Sequence, residues 1–177
     1  MRRVLSGAIL LWAVVCWAGE SAPKIVAARA VLDADAAHPG STVQAAVVAE
    51  IAPGYHINDH KPTLEYLIPS ELKLEAGPEV AVQDVIYPHG KLMKFAFEDK
   101  SLSVYEGTLV VKAVLKVARN TPPGTYTLKG KFAYQACNDR ACLPPTSAAV
   151  EFAVKVVGAG VPVKHLNEDI FKSGKPE

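Results

Sequence analysis

Apolar and polar residues alternate along most of the chain with the two-residue period of half-buried strands. Leu109, Val111, Ala113, Leu115 and Val117 share one face of such a run, and Tyr126, Leu128, Gly130, Phe132 and Tyr134 share another. Stretches rich in Val, Ala and Thr at 24–32, 42–51, 71–75, 80–87, 109–117, 125–136 and 149–157 predict strands. Turn chemistry separates them: Pro39-Gly40, Pro53-Gly54, Gly77-Pro78, Pro88-His89-Gly90 and Pro122-Pro123-Gly124. Short strands at turn spacings of roughly ten residues predict an all-β fold, an immunoglobulin-like antiparallel β-sandwich. The buried Trp of antibody domains is missing from this body, because Trp12 and Trp17 both precede it. Beyond residue 157 the pattern stops. Gly158, Gly160 and Gly174 loosen the segment 158–177, and His165–Lys172 has room for two helical turns in a docked or fraying tail.

The N-terminus follows a different rule. Arg2 and Arg3 precede an apolar stretch from Val4 to Ala18 interrupted only by Ser6 and Gly7, the layout of a secretory leader. The stretch is short for a spanning helix, which needs about 20 residues. Cleavage after Ala18 puts Cys16 and Ala18 at the small-residue positions, so residues 1–18 are expected to be removed. Cleavage after Gly19 or Ala22 would place Trp17 or Glu20 at the third position back, a poorer fit. A lipid anchor on Cys16 is the rival, set back by the bulky Val15 before it. The mature protein would then be periplasmic and not membrane-spanning, with residues 19–157 as its folded domain.

Charge narrows the function classes. The whole chain carries 19 basic and 18 acidic side chains, for a formal net charge of +1. Loss of Arg2 and Arg3 takes that to −1. No basic stripe interleaved with aromatics appears, so a nucleic-acid partner is not expected. Nor is there a phosphate-cradling Gly loop or a Ser/His/Asp arrangement.

Removing the leader also removes Cys16 and leaves two cysteines, Cys137 and Cys142, which an exported protein is expected to pair. They flank four residues in YQACNDRACLPP, at the end of a strong strand and before Pro144-Pro145. So short a closed loop gains only ~2 kcal/mol by the chain-entropy model, against ~4.7 kcal/mol for a loop of about 100 residues. A chain long enough for a full core does not obviously need that. Two readings therefore stand: an inert clip, or a reversible dithiol exposed at a loop. Exchange needs a partly ionised, reachable sulfur. Arg140 would favour the thiolate and Asp139 oppose it, while the two prolines keep the exit from zipping into sheet. Two thiols leave a zinc site incomplete, and no C-x-x-C-H run exists for haem, so no cofactor or metal is expected.

The cysteine block and what precedes it resemble the N-terminal periplasmic domain of the thiol:disulfide interchange protein DsbD, of the disulfide bond corrector family. The resemblance runs through GYHIN (54–58), KPTLEYLIPSELKLE (61–75), VIYPHGKLMKFAF (85–97), LSVYEG (102–107), PPGTYTLKGKFAYQACNDRACLPP (122–145) and the last strand. It implies an immunoglobulin-like sandwich with a redox pair at Cys137 and Cys142. By the same resemblance Cys142 forms mixed disulfides and Cys137 resolves them. It further implies an aromatic cap loop at 94–105, with Phe97 as the cap and Phe95 as the alternate. Electrons would come from a thioredoxin-like domain or a membrane carrier of the DsbD type. They would go to a periplasmic disulfide isomerase or related thiol protein, a cytochrome c biogenesis factor included. These 177 residues hold neither the membrane carrier nor the second thioredoxin-like domain of longer members. Either a stand-alone module fed by a separately encoded membrane protein or one piece of a split system is therefore expected.

Other residues are weighed against blander roles. His56, with Tyr55 and Asn58 beside it, is either a strand-entry residue satisfied by backbone or a partner of the cysteine face. With the thiols it also defines a weaker metal-carrier reading, which lacks the usual soft Met ligands. Tyr134 is expected to support the core or cap, and Gln135 to bound the active-site face. The other histidines are expected at the surface. A redox-inert immunoglobulin-like binding or assembly module with a structural disulfide is the alternative to interchange.

Overall fold

The computed structural model describes residues 24–172. The expected leader, 1–18, lies outside the described residues. Eleven strands and one short helix follow in order: β1 (Val26–Leu32), β2 (Thr42–Ile51), β3 (His56–Asn58), β4 (Glu71–Leu74), β5 (Val80–Ile86), β6 (Lys91–Met93), β7 (Leu102–Tyr105), β8 (Thr108–Val117), β9 (Gly124–Tyr134), β10 (Ala136–Cys137), β11 (Thr146–Val156) and α1 (Glu168–Lys172). They make two main sheets, ordered β1-β2-β8-β5 and β11-β9-β4, and a small third sheet ordered β10-β3-β7-β6. Every strand ladder is antiparallel. The fold is the expected all-β, immunoglobulin-like sandwich.

Alternation decides which faces meet. In β8 the buried positions are Leu109, Val111, Ala113, Leu115 and Val117; in β9 they are Leu128, Gly130, Phe132 and Tyr134. β11 contributes Ala148, Val150, Phe152, Val154 and Val156, and all of these large residues join one core. Phe132 and Phe152 are among its largest fully buried side chains. Burial of each stabilises the fold by about 1.5–3 kcal/mol. Gly130 is required where β4 crosses β9, because a Cβ there would come within 2.5 Å of Leu74 Cδ2 and Lys73 O.

The segment after β11 docks along the first sheet. Lys164 N–H donates to Asp35 Oδ1 at 2.9 Å, Leu166 N–H to Asp33 O at 2.8 Å, and Asn167 Nδ2 to Leu32 O at 2.8 Å. Lys112 Nζ on β8 reaches Phe171 O at 3.2 Å. Among the described residues no helix is long and apolar enough to cross a membrane.

The small sheet grows from one end of the sandwich, and the alternation pattern does not announce it. The run 125–136, read as one strand, is in fact divided at Gln135. Tyr134 still pairs with Thr146 of β11, whereas Ala136 and Cys137 pair with Ile57 and His56 of β3. β7 reaches the same sheet through Gly107, whose φ of 65° turns the chain into β8. Gly54, with φ of 79°, makes the turn between β2 and β3. Both conformations favour glycine.

Candidate functional site

Chain geometry puts the two cysteines where β9 leaves its own sheet and joins the small one. Cys137 ends β10 and is joined to Cys142 by a disulfide with Cα atoms 3.9 Å apart. The loop between them is set by Asn138. Its Oδ1 accepts from Arg140 N and Ala141 N, both at 2.9 Å, and its own N–H donates to Ala141 O at 3.0 Å. Asn serves here because its side chain imitates a backbone acceptor in tight turns. Beyond Cys142 the chain is held as well. Leu143 N–H donates to Ala136 O at 2.8 Å, and Gln135 Nε2 donates to Leu143 O at 3.1 Å. Gln135 thus fixes the exit of the loop, and Asp139 and Arg140 stand exposed at its tip.

The two cysteines differ in exposure. Cys137 is 1% exposed, but Cys142 lies on the exposed part of the loop. Tyr134 is buried below the loop, its ring 5.9 Å from that of Phe132, and burial raises its phenol above the usual range. Tyr134, Ala136, Leu143 and Pro144 line a cavity of about 220 Å³ beside the loop.

An aromatic stack rises from the strand next to Cys137. His56 is the cross-strand partner of Cys137 and is buried. Its imidazole stacks on Phe95, with centroids 4.3 Å apart, and Phe95 stacks on Phe97 at 5.3 Å. Phe95 is half-buried on His56, while Phe97 is the outer ring, 53% exposed. Burial pulls the His56 pKa below the ordinary imidazole value, opposed by the Glu106 carboxylate.

One acidic residue organises the rest of the small sheet. Asp59 Oδ2 accepts from Ser103 Oγ at 2.6 Å and Gly90 N at 3.0 Å; Oδ1 accepts from Tyr105 OH at 2.6 Å and Lys61 N at 3.2 Å. Burial would raise this carboxyl, but the donors, Ser103 first, leave its pKa below the ordinary value. The Tyr105 phenol is pushed up by burial and by the Asp59 carboxylate that it faces. Beside this cluster His60 lies flat on Tyr87, centroids 3.7 Å apart, with Nδ1 3.1 Å from Ser70 O. His60 is therefore part of a packed wall and not a free surface histidine as expected. Asp59 carried no signal in the sequence, since Gly90, Ser103 and Tyr105 lie 31 to 46 residues away.

A family model described as Thiol:disulfide interchange protein DsbD, N-terminal, matches residues 22–153. Among solved structures, the N-terminal periplasmic domain of ScsB from Proteus mirabilis is similar with a TM-score of 0.56 and 15% identity, over 89% of this chain and 55% of that one. The chain thus spans about half of that structure, and at this identity the likeness speaks for the fold alone. The DsbD N-terminal domain in its complex with the PilB N-terminal domain from Neisseria meningitidis has a TM-score of 0.38 and 18% identity, over 70% of this chain and 80% of that one. No curated protein gives a significant match. With the family model spanning most of its residues and a bonded cysteine pair on its end sheet, the chain belongs to the family of DsbD N-terminal domains, which serve thiol–disulfide interchange.

Proposed function

We propose that this protein is a periplasmic electron-transfer module that cycles Cys137 and Cys142 between dithiol and disulfide. Residues 1–18 act as its export leader, and 19–157 form the redox domain. In the reduced form the Cys142 thiolate attacks a client disulfide. A Cys142–client S–S bond forms, and the client's other sulfur leaves as a thiolate. The Cys137 thiolate then attacks Cys142 Sγ and releases the client's second thiolate. The client gains two electrons, and the internal disulfide is regenerated. An upstream dithiol, from a thioredoxin-like domain or a membrane carrier of the DsbD type, reduces it again. A periplasmic disulfide isomerase or related thiol protein is the client class that fits this chemistry.

The observation that carries the reading is the unequal exposure of the two cysteines, Cys142 on the exposed part of the loop and Cys137 buried. In-line attack on a protein disulfide needs a reachable sulfur, whereas resolution needs only one held beside it. The His56–Phe95–Phe97 stack supports a shielding role for the loop between β6 and β7, with Phe95 as its inner ring and Phe97 as its outer ring.

Trapping tests the assignment. Cys137→Ser, which keeps Cys142, should accumulate a mixed disulfide with an oxidised thioredoxin-like protein on a non-reducing gel. Cys142→Ser should accumulate little. Equal trapping by both, or by neither, would overturn it.

A further inference from the structure

The loop between β6 and β7 is held by a segment of chain that contains no redox residue. Residues 59–66 run alongside it and touch it at three heights. At its base, the Asp59 carboxylate accepts from Gly90 N just before β6 and from Ser103 Oγ in β7, so both roots of the loop hang on one side chain. Thr63 Oγ1 accepts from Ser103 N at 2.9 Å. At the tip, Tyr66 OH donates to Glu98 Oε2 at 2.7 Å.

The tip contact is joined to the aromatic rings through a tight turn. Glu98 N–H donates to Phe95 O at 3.3 Å, closing a turn over Phe95–Glu98 that carries both phenylalanines. The other oxygen of the carboxylate, Oε1, accepts from Lys100 N at 3.2 Å, and Lys94 Nζ donates to Asp99 O. Glu98 therefore ties the turn to itself with one oxygen and to Tyr66 with the other. Phe95, on that turn, rests on His56, the cross-strand partner of Cys137. The roots are half-buried and multiply bonded, whereas Tyr66 is 68% exposed and its bond to Glu98 faces solvent. A lid with fixed roots and a single solvent-facing tie at its tip opens at the tip.

We propose that Tyr66 is a positioning residue: its hydroxyl on Glu98 latches the 94–101 loop with Phe95 on His56 and so sets how readily the buried Cys137, the cross-strand partner of His56, is reached. This deepens the interchange reading and rests on Cys137 being the inner, resolving cysteine of a reversible pair. One exposed hydrogen bond has a modest net value, so its loss should shift lid opening by roughly two- to tenfold.

The experiment uses the mature protein and two readouts. In the oxidised protein, amide hydrogen exchange over 94–101 reports the lid without any thiol chemistry. Tyr66→Phe and Glu98→Ala should each speed exchange there by roughly two- to tenfold. In the reduced protein, both should raise the alkylation rate of Cys137 by iodoacetamide by a similar factor. Thermal unfolding should be unchanged. Glu98→Gln, which still offers an acceptor to Tyr66, should stay near wild type, and the Tyr66→Phe/Glu98→Ala pair should gain nothing beyond either single change. Unchanged exchange in Tyr66→Phe, or effects of the two changes that simply add, would overturn the latch. That failure is distinct from failure of the interchange reading, which would appear as a pair resistant to reduction with the exchange result intact.

Discussion

Cys137 and His56 face each other across β10 and β3, both buried, with the imidazole of His56 covered by the Phe95 ring. The inner cysteine of the pair thus has a titratable side chain as its cross-strand neighbour. Any movement of the loop that carries Phe95 changes the surroundings of that imidazole.

A dependence of stability on pH follows. Burial favours the neutral imidazole, so the folded pKa lies below the unfolded value of 6.5, Glu106 offsetting part of the shift. With the folded value depressed, His56 costs the fold nothing above pH 6.5. It then lowers stability progressively as pH falls from there through the folded value. His56→Phe keeps an aromatic ring against Phe95 and removes the titration. Urea unfolding at pH 7.5 and 5 should show a smaller loss in His56→Phe than in wild type. Equal losses would mean that His56 is solvated in the folded state.

The Asp59 cluster should be intolerant of added volume. An ideal Cβ on Gly90 would lie 2.5 Å from both Asp59 Oδ2 and Ser103 Oγ. Gly90→Ala should therefore cost about 1–3 kcal/mol in denaturant unfolding. Asp59→Asn, which sets amide hydrogens against donors, should cost about 1–3 kcal/mol at pH 7. Its carboxyl pKa is lowered on folding, so the stabilisation is present above the unfolded value of 3.8 and fades as pH falls through the folded one. The gap between wild type and Asp59→Asn should narrow below pH 3.8.

The sandwich was legible because its strands are long enough to show their period. β8 and β9 bury the alternate residues that the pattern assigned to one face, from Leu109 to Val117 and from Leu128 to Tyr134. The small sheet was not legible, for two physical reasons. Its strands are two to four residues long, too short for an alternation to register. His56, Ile57 and Asn58 of β3 are also buried on both faces of the strand and so read as no amphipathic pattern at all. The cysteines, Phe95, Phe97 and His56 were singled out in the chain. Asp59 and Tyr66 were not, because each is bonded to a partner 31 or more residues away.

The central claim is that the Cys137–Cys142 bond is made to be exchanged. Its reduction potential in the mature domain, measured by equilibration in defined thiol/disulfide buffers, tests this most directly. The account predicts a value between roughly −180 and −270 mV, among exchanging couples. A value below about −300 mV, among structural disulfides, would contradict it and make the protein a redox-inert binding module.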